Sequence, residues 1–264
     1  MKSFIKSLFV LLALTFSTLS FAATWYVSPA GDDSNNGSSL EKAKESIQAA
    51  VDISSEGDTI LVSDGTYELT DKIEITKPIT IKSINGADVT TITAALSPPL
   101  NPCFYINHNN YDESVIIDGF TITKGSRSGV YVENGKTTVI DSIITENSSG
   151  HGGGITGCTV LRSEILNNTA GYDGGGALNC TLYNCLIKNN EARNGSGGGL
   201  YGSTAYNCVI VYNSADLSGG GADDAYLNNC LIAGNTITGN AGGYGGGISY
   251  STIRNCTVVG NYGK

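Results

Sequence analysis

The sequence has little positive charge and few of the residues that are common in helical enzymes. Its 264 residues include 15 lysines and arginines, 24 acidic residues, five prolines, two histidines and one methionine. The formal net charge of -9 repels nucleic acids and anionic lipids over most of the surface, so no nucleic-acid partner is expected. The scarcity of proline excludes a collagen-like repeat, and 40% hydrophobic residues exclude a disordered linker.

The first 22 residues have the features of a signal peptide. Lys2 and Lys6 precede the apolar stretch Leu8–Phe16, and small residues precede a predicted cleavage site before Ala23. The alternative, a membrane anchor, needs a longer apolar stretch to span a bilayer. The sequence therefore predicts export to the medium or the bacterial outer surface. The mature chain loses two lysines, which changes the net charge from -9 to -11, and has no predicted transmembrane segment.

A repeat marked by three consecutive glycines carries the fold prediction. The motif recurs with spacings of 22, 23, 22 and 26 residues and begins at Gly152, Gly174, Gly197, Gly219 and Gly245. With its first glycine as position 1, position 12 is mainly cysteine, position 14 is isoleucine or valine, and position 17 is asparagine. Apolar residues two apart are typical of strands. A coil this short buries its apolar side only by stacking on its neighbours.

The predicted fold is all-β, a right-handed parallel β-helix of about nine coils of 22–23 residues. Residues 58–264 form this solenoid, because degenerate copies of the repeat extend upstream of Gly152. Residues 23–57 form a cap that contains an amphipathic helix, which begins at the capping-box pattern Ser38–Glu41 and covers the open end of the first coil. Since the last coil is incomplete, we expect the chain to continue beyond Lys264.

Six of the seven cysteines occupy two repeat positions: Cys158 and Cys180 at position 7, and Cys185, Cys208, Cys230 and Cys256 at position 12. We interpret them as small apolar fillers of the core with reduced thiols. Disulfides between neighbouring coils are the alternative, although in-register stacking leaves the Cβ atoms farther apart than a relaxed bridge prefers.

Two parts of the sequence resemble known families. Trp25–Asp33, followed by the predicted helix and by Gly57–Tyr67, resembles the amino-terminal cap and first coil of bacterial pectate-lyase-like β-helix proteins. The glycine corner with its later asparagine resembles repeats of polymorphic outer-membrane proteins. Both resemblances imply a β-helix, and neither implies one chemistry, because this fold hosts lyases, hydrolases, adhesins and stalks.

The resemblance directs the search for catalytic residues. Gly150–Gly152 resembles the Gly-His-Gly motif of polygalacturonases, but the acidic motifs that precede it in that family are missing, so we interpret His151 as a corner residue. Pectate-lyase chemistry implies a basic residue beside acids that hold Ca²⁺. Stacking predicts one such cluster: Asp118, Asp141 and Arg162. The alternative is a structural corner column. No metal site is predicted, and Ca²⁺ is expected only if the protein is a lyase.

Tyrosine occurs at 14 positions, and the candidate ligand-binding residues are Tyr172, Tyr201, Tyr212 and Tyr244. An aromatic face with a polar tip suits a sugar or a protein interface, and corner packing is the alternative. We therefore expect a secreted or cell-surface protein that binds polysaccharide or a partner surface without catalysis, as an adhesin does. The alternatives are a polysaccharide lyase acting on uronate polymers such as pectate, and a passive stalk.

Overall fold

The chain forms a right-handed parallel β-helix with an amino-terminal cap, in agreement with the predicted class. A computed structural model describes residues 22–94, 101–239 and 244–263. The predicted signal peptide lies outside the described residues except for Ala22, and so does Lys264, beyond which a continuation is predicted. Within the described part of the chain, no helix is long and apolar enough to cross a membrane.

Every complete coil contributes strands to parallel sheets that run along the solenoid. Sheet 1 has ten strands: Thr24–Val27, Thr59–Val62, Thr80–Ser83, Ser114–Asp118, Lys136–Ile140, Thr159–Leu161, Thr181–Tyr183, Thr204–Tyr206, Tyr226–Asn228 and Thr252–Arg254. Sheet 2 has nine: Gly65–Leu69, Thr90–Ala94, Thr121–Thr123, Ile143–Thr145, Glu164–Leu166, Leu186–Lys188, Val209–Val211, Leu231–Ala233 and Thr257–Val259.

The other two sheets complete the coils. Sheet 3 has five short strands: Ser148–Ser149, Thr169–Ala170, Glu191–Ala192, Ser214–Ala215 and Thr236–Ile237. Sheet 4 has eight: Ile73–Ile75, Phe104–Asn107, Val130–Asn134, Ile155–Thr156, Ala177–Leu178, Leu200–Tyr201, Ala222–Asp223 and Ile248–Ser249. Each strand of sheet 4 belongs to one turn of the solenoid, so its eight strands correspond to eight turns, close to the nine predicted coils.

The core is a set of columns in which equivalent residues of successive coils stack. Position 14 is the clearest: Ile165 pairs with Ile187, which pairs in turn with Ile210, and all three are fully buried. Alternate residues of each strand point outward, so one apolar residue per short strand is enough to build the core. In-register stacking thus turns a sequence period into a continuous hydrophobic interior.

Asparagine at position 17 forms a buried ladder at the corner between sheets 2 and 3. Asn168 Nδ2 donates to Asn190 Oδ1 at 3.0 Å, and Asn190 Nδ2 donates to Asn213 Oδ1 at 2.9 Å. Each amide also reaches a carbonyl of the preceding coil, for example Asn190 Nδ2 to Ile165 O at 2.8 Å. The column of asparagines at position 17 is thus a continuous ladder of side-chain amides along the axis.

The cap differs from the prediction in where its helix begins. Residues Leu40–Lys42 form a single 3-10 turn, and the α-helix is Ile47–Ile53, capped by Ser46, whose Oγ accepts the Ala49 N–H at 3.2 Å. The predicted start at Ser38–Glu41 is wrong because the intervening chain is extended: the Lys44 N–H donates to Tyr26 O at 2.9 Å. The helix still buries one face against the first coil, as predicted.

The cysteines and the last coil complete the core. All seven cysteines are free, and six are buried, whereas Cys256 in the last described coil is half-buried. Each position-12 thiol donates to the carbonyl oxygen two residues before it, as Cys208 does to Tyr206 O at 3.2 Å. Ile253 and Val258, which occupy core columns of the last described coil, are 40% and 43% exposed.

Candidate ligand-binding site

The predicted catalytic cluster contains a two-pronged ion pair between neighbouring coils. Arg162 Nε and Nη2 donate to the two carboxylate oxygens of Asp141 at 2.8 and 2.7 Å. Both side chains are about half exposed. The hydrogen bonds that Arg162 donates to Asp141 raise the pKa of the guanidinium above its already high ordinary value. An arginine held in this way keeps its proton and is therefore poorly suited to act as a base.

Asp118 does not stack beneath Asp141. The register pairs Asp118 with Ile140, and Gly119 takes the corner with a φ of 81°. Asp118 instead binds Lys82 of the preceding coil, with Oδ2 and Nζ 2.7 Å apart. The predicted column of Asp118, Asp141 and Arg162 thus divides into two ion pairs in adjacent columns, an arrangement typical of a solvated surface.

The candidate tyrosines divide between two corners. Tyr172, Tyr201 and Tyr244 lie around the corner that precedes sheet 4, near the glycine triplets. Tyr212 lies on another corner, between sheets 2 and 3, where its ring covers Gly234; a Cβ atom there would be 2.7 Å from Tyr212 Cε1. Tyr172, Tyr212 and Tyr244 are more than half exposed, and Tyr201 is partly buried.

A row of polar residues connects the coils at the first of these corners. We define the corner row as the residues immediately before each glycine triplet: His151, Asp173, Ser196, Ser218 and Tyr244. His151 Nδ1 lies 3.4 Å from Asp173 Oδ2, and Asp173 Oδ1 accepts the Ser196 N–H at 3.0 Å. The Ser196 and Ser218 hydroxyls are hydrogen-bonded at 2.9 Å. The first four members are therefore linked from coil to coil along the axis.

The first glycine of each triplet brings this row beside the outward column of sheet 4. Gly197 has a φ of 67°, and a Cβ atom there would lie 2.9 Å from Tyr201 Cβ. Across the equivalent Gly219, the Ser218 hydroxyl donates to Asp223 Oδ2. Because glycine has no side chain, residues five apart in sequence become lateral neighbours on one surface.

Tyrosine rings and carboxylates share this surface. Tyr172 stacks on His151, with ring centroids 5.1 Å apart and ring planes inclined by 21°. Tyr201 is next to Asp223 in the register of sheet 4. Burial, together with the charges of Asp173, Asp223 and Asp224, raises the pKa of Tyr201, so its phenol remains a hydrogen-bond donor at neutral pH. Burial also raises the pKa of Asp223, which is only 4% exposed.

Other tyrosines form stacks that the sequence analysis missed. Tyr183 and Tyr206 stack in sheet 1 at 4.9 Å with an 8° angle, and Tyr105 and Tyr131 stack in sheet 4 at 6.1 Å with a 7° angle. Lys72 Nζ lies 4.0 Å from the Tyr105 ring centre. These four rings are less exposed than those of Tyr172 and Tyr244, so they offer a sugar less free aromatic surface.

The hydrogen bonds among the polar residues at this corner are not evident from the sequence, although the loops before the glycine triplets are where a ligand groove is expected. Asp173, Ser196 and Ser218 occupy the position before the glycine triplet, which the repeat alignment already contains as a column. Position 5 of the repeat carries Tyr201 and Asp223 in sheet 4. The glycine at position 1 lets the residue before it approach position 5, and the alignment does not reveal this contact. In the described part of the chain, no three His, Cys, Asp or Glu side chains are grouped so that they could hold a metal ion.

Sequence comparison agrees with this architecture. Residues 102–262, more than half of the chain, match the family model described as right-handed beta helix region. The chain belongs to the right-handed β-helix family. No curated protein matches the sequence. Resemblance to the polymorphic outer-membrane repeats remains a prediction.

Solved structures of other proteins share the fold of this β-helix protein at low sequence identity. Pectate lyase Pel9A is 19% identical, with a TM-score of 0.60 over 86% of this chain and 68% of that chain. Pectin methylesterase PemA from Erwinia chrysanthemi is 12% identical, with a TM-score of 0.52 over 81% of this chain and 80% of that chain. At these identities the likeness establishes the fold alone.

Proposed function

We propose that this β-helix protein is exported and binds polysaccharide, without catalysis, along the corner row and the adjoining face of sheet 4. The observation that carries the proposal is the linked row of His151, Asp173, Ser196 and Ser218 beside Tyr172 and Tyr201. Hydroxyl and carboxylate groups hydrogen-bond sugar hydroxyls, and tyrosine faces pack against sugar rings. A rigid row that runs along the axis suits an extended polymer.

The charge of this surface favours neutral or amino sugars over polyuronates. Asp173, Asp223 and Asp224 lie close enough to Tyr201 to act on its pKa, and the corner row contains no lysine or arginine. A polymer of carboxylated sugars is repelled by these aspartates, whereas hydroxyl and ammonium groups are attracted.

A binding panel of neutral, amino-sugar and uronate polysaccharides tests the proposal. We expect Tyr172→Ala and Tyr201→Ala each to weaken binding by about tenfold, a loss of about 1.4 kcal/mol. Tyr212→Asn is the matched control, because Tyr212 is an exposed tyrosine on the other corner. The proposal is contradicted when none of the polymers binds. It is also contradicted when Tyr212→Asn weakens binding as much as the two alanine variants do.

The alternative is a lyase that acts on uronate polymers with Ca²⁺, and the fold shared with pectate lyase Pel9A supports it. The ion pair of Arg162 with Asp141 favours binding over this chemistry, since the guanidinium is held in its protonated form. Incubation of the full chain with Ca²⁺ and a panel of uronates decides between the two. Unsaturated products that disappear in Arg162→Ala establish the lyase.

A further inference from the structure

A groove of about 770 Å³ lies at the amino-terminal end of the solenoid. One wall is the first strand of sheet 2, Gly65–Leu69, with the residues that follow it up to Glu74. The other wall is formed by the cap, with Pro29, Asp33 and residues 45–48. Clefts of this volume are large enough to hold a ligand or a short peptide.

The Gly65–Leu69 strand presents unpaired backbone groups to this groove. Ile143 and Glu164 occupy the place of Thr66 in later coils, and each donates its N–H to the preceding coil. Ile143 N–H donates to Phe120 O and Glu164 N–H to Ser142 O, both at 2.9 Å. Among the described residues, no strand of sheet 2 precedes Gly65–Leu69. The Gly65 N–H bonds to Val89 O on the opposite side. By alternation, the N–H and C=O groups of Thr66 and Glu68 face the groove.

The first strands of the other sheets are covered. The first strand of sheet 1, Thr24–Val27, is covered by the cap, since the Tyr26 N–H donates to Gly37 O and Tyr26 O accepts the Lys44 N–H. The first strand of sheet 4 is covered by the Gln48 side chain, whose Oε1 accepts the Glu74 N–H at 2.8 Å. In sheet 3, the Ser148 N–H donates to Gly125 O at 2.7 Å. Of the four sheets in the described residues, sheet 2 alone has a first strand left open.

The groove is strongly acidic. Five of its lining residues are acids (Asp33, Glu45, Glu68, Asp71 and Glu74), and Lys72 is the single basic lining residue. Lys72 is already engaged with Glu74 at 3.4 Å. Since the whole chain has a net charge of -9, a second copy is repelled from this groove, whereas a basic segment is attracted to it.

We propose that the groove binds an extended basic peptide segment of a partner protein, which adds as a strand beside Gly65–Leu69. The backbone of the peptide pairs with Thr66 and Glu68, and its cationic side chains meet Glu68 and the acids of the groove. Five strand residues span roughly 17 Å, the length of peptide that pairs with this edge. This site is separate from the corner row and does not depend on the proposed polysaccharide binding.

Fluorescence anisotropy with a labelled six-residue peptide of alternating lysine and valine tests the proposal on the full chain. We expect binding that weakens at least about tenfold in Glu68→Lys, and equally when alternate peptide amides are methylated to block strand pairing. Glu164→Lys, on the same sheet four strands farther along, is the matched control and should bind normally.

Hydrogen exchange on the wild-type protein gives a readout that does not depend on a variant. The Thr66 and Glu68 amides are expected to gain protection when the peptide binds. No binding, equal binding of the methylated peptide, equal weakening by Glu164→Lys, or unchanged exchange at Thr66 and Glu68 overturns the proposal. Displacement of the peptide by an amino-sugar oligomer of equal charge, at equal affinity, also overturns it, because the groove then recognises charge alone.

Discussion

Asn190 and Asn213 lie on successive coils, and Asn190 Nδ2 donates to Asn213 Oδ1 at 2.9 Å in the fully buried corner between sheets 2 and 3. Asn190 Oδ1 in turn accepts the backbone and side-chain N–H groups of Asn168 at 2.9 and 3.0 Å. Every polar atom of this side chain therefore bonds to a neighbouring coil, so the ladder fixes the register as well as the packing.

Replacement of Asn190 by alanine is expected to lower the free energy of unfolding by about 2–4 kcal/mol. The substitution leaves the buried backbone and side-chain N–H groups of Asn168 without the acceptor Asn190 Oδ1 and removes one donor from Ile165 O, which costs more than the lost bonds alone. Chemical denaturation measures the change. Asn228→Ala, on the outward face of sheet 1, is the control, and an equal loss there contradicts the role of the ladder.

Gly197→Ala is expected to destabilise the protein by about 2–4 kcal/mol. The backbone of Gly197 is left-handed with a φ of 67°, and a Cβ atom would overlap the carbonyl oxygen of Leu200. Gly150→Ala is the matched control, because a Cβ atom there meets nothing within 4 Å. Thermal unfolding that shifts equally in both variants shows that the corner tolerates a side chain.

The six buried cysteine thiols are expected to remain unreactive in the folded protein, because the reagent cannot reach them. Burial raises the pKa of Cys103 to about 12 and leaves little thiolate for reaction. Cys256, which is half-buried, should react with a disulfide reagent first. After the protein is unfolded without reductant, mass spectrometry should find that all seven thiols are modified. A lower count reveals disulfides between neighbouring coils.

Asp223→Asn is expected to stabilise the protein at neutral pH. Because burial raises the folded-state pKa of Asp223 above its ordinary value of 3.8, its contribution to stability is complete below that value and declines as pH rises through the raised pKa. The stability difference between variant and wild type should therefore grow from pH 3 to pH 7. Denaturant titrations at both pH values check this, and a difference that does not change with pH contradicts it.

The sequence alone determines much of this fold because the repeat has a fixed period. In-register stacking makes the residue one period away a spatial neighbour, so the isoleucine, cysteine and asparagine columns follow directly from alignment. The same reasoning places Asp141 next to Arg162. It fails for Asp118, because Gly119 takes the corner and moves Asp118 into the adjacent column.

The tertiary structure decided what lies beside each column and what covers its ends. The contact of Ser218 with Asp223 depends on the bare backbone of Gly219, and three of the four candidate tyrosines share a corner because of how the coil bends around the glycine triplet. The helix begins at Ile47, after its cap Ser46, because the residues before the cap pair with the first strand. The open edge of Gly65–Leu69 exists because the cap supplies a strand to sheet 1 and none to sheet 2. Repetition predicts contacts along the axis, whereas contacts around the coil and at its end depend on the path of the whole chain.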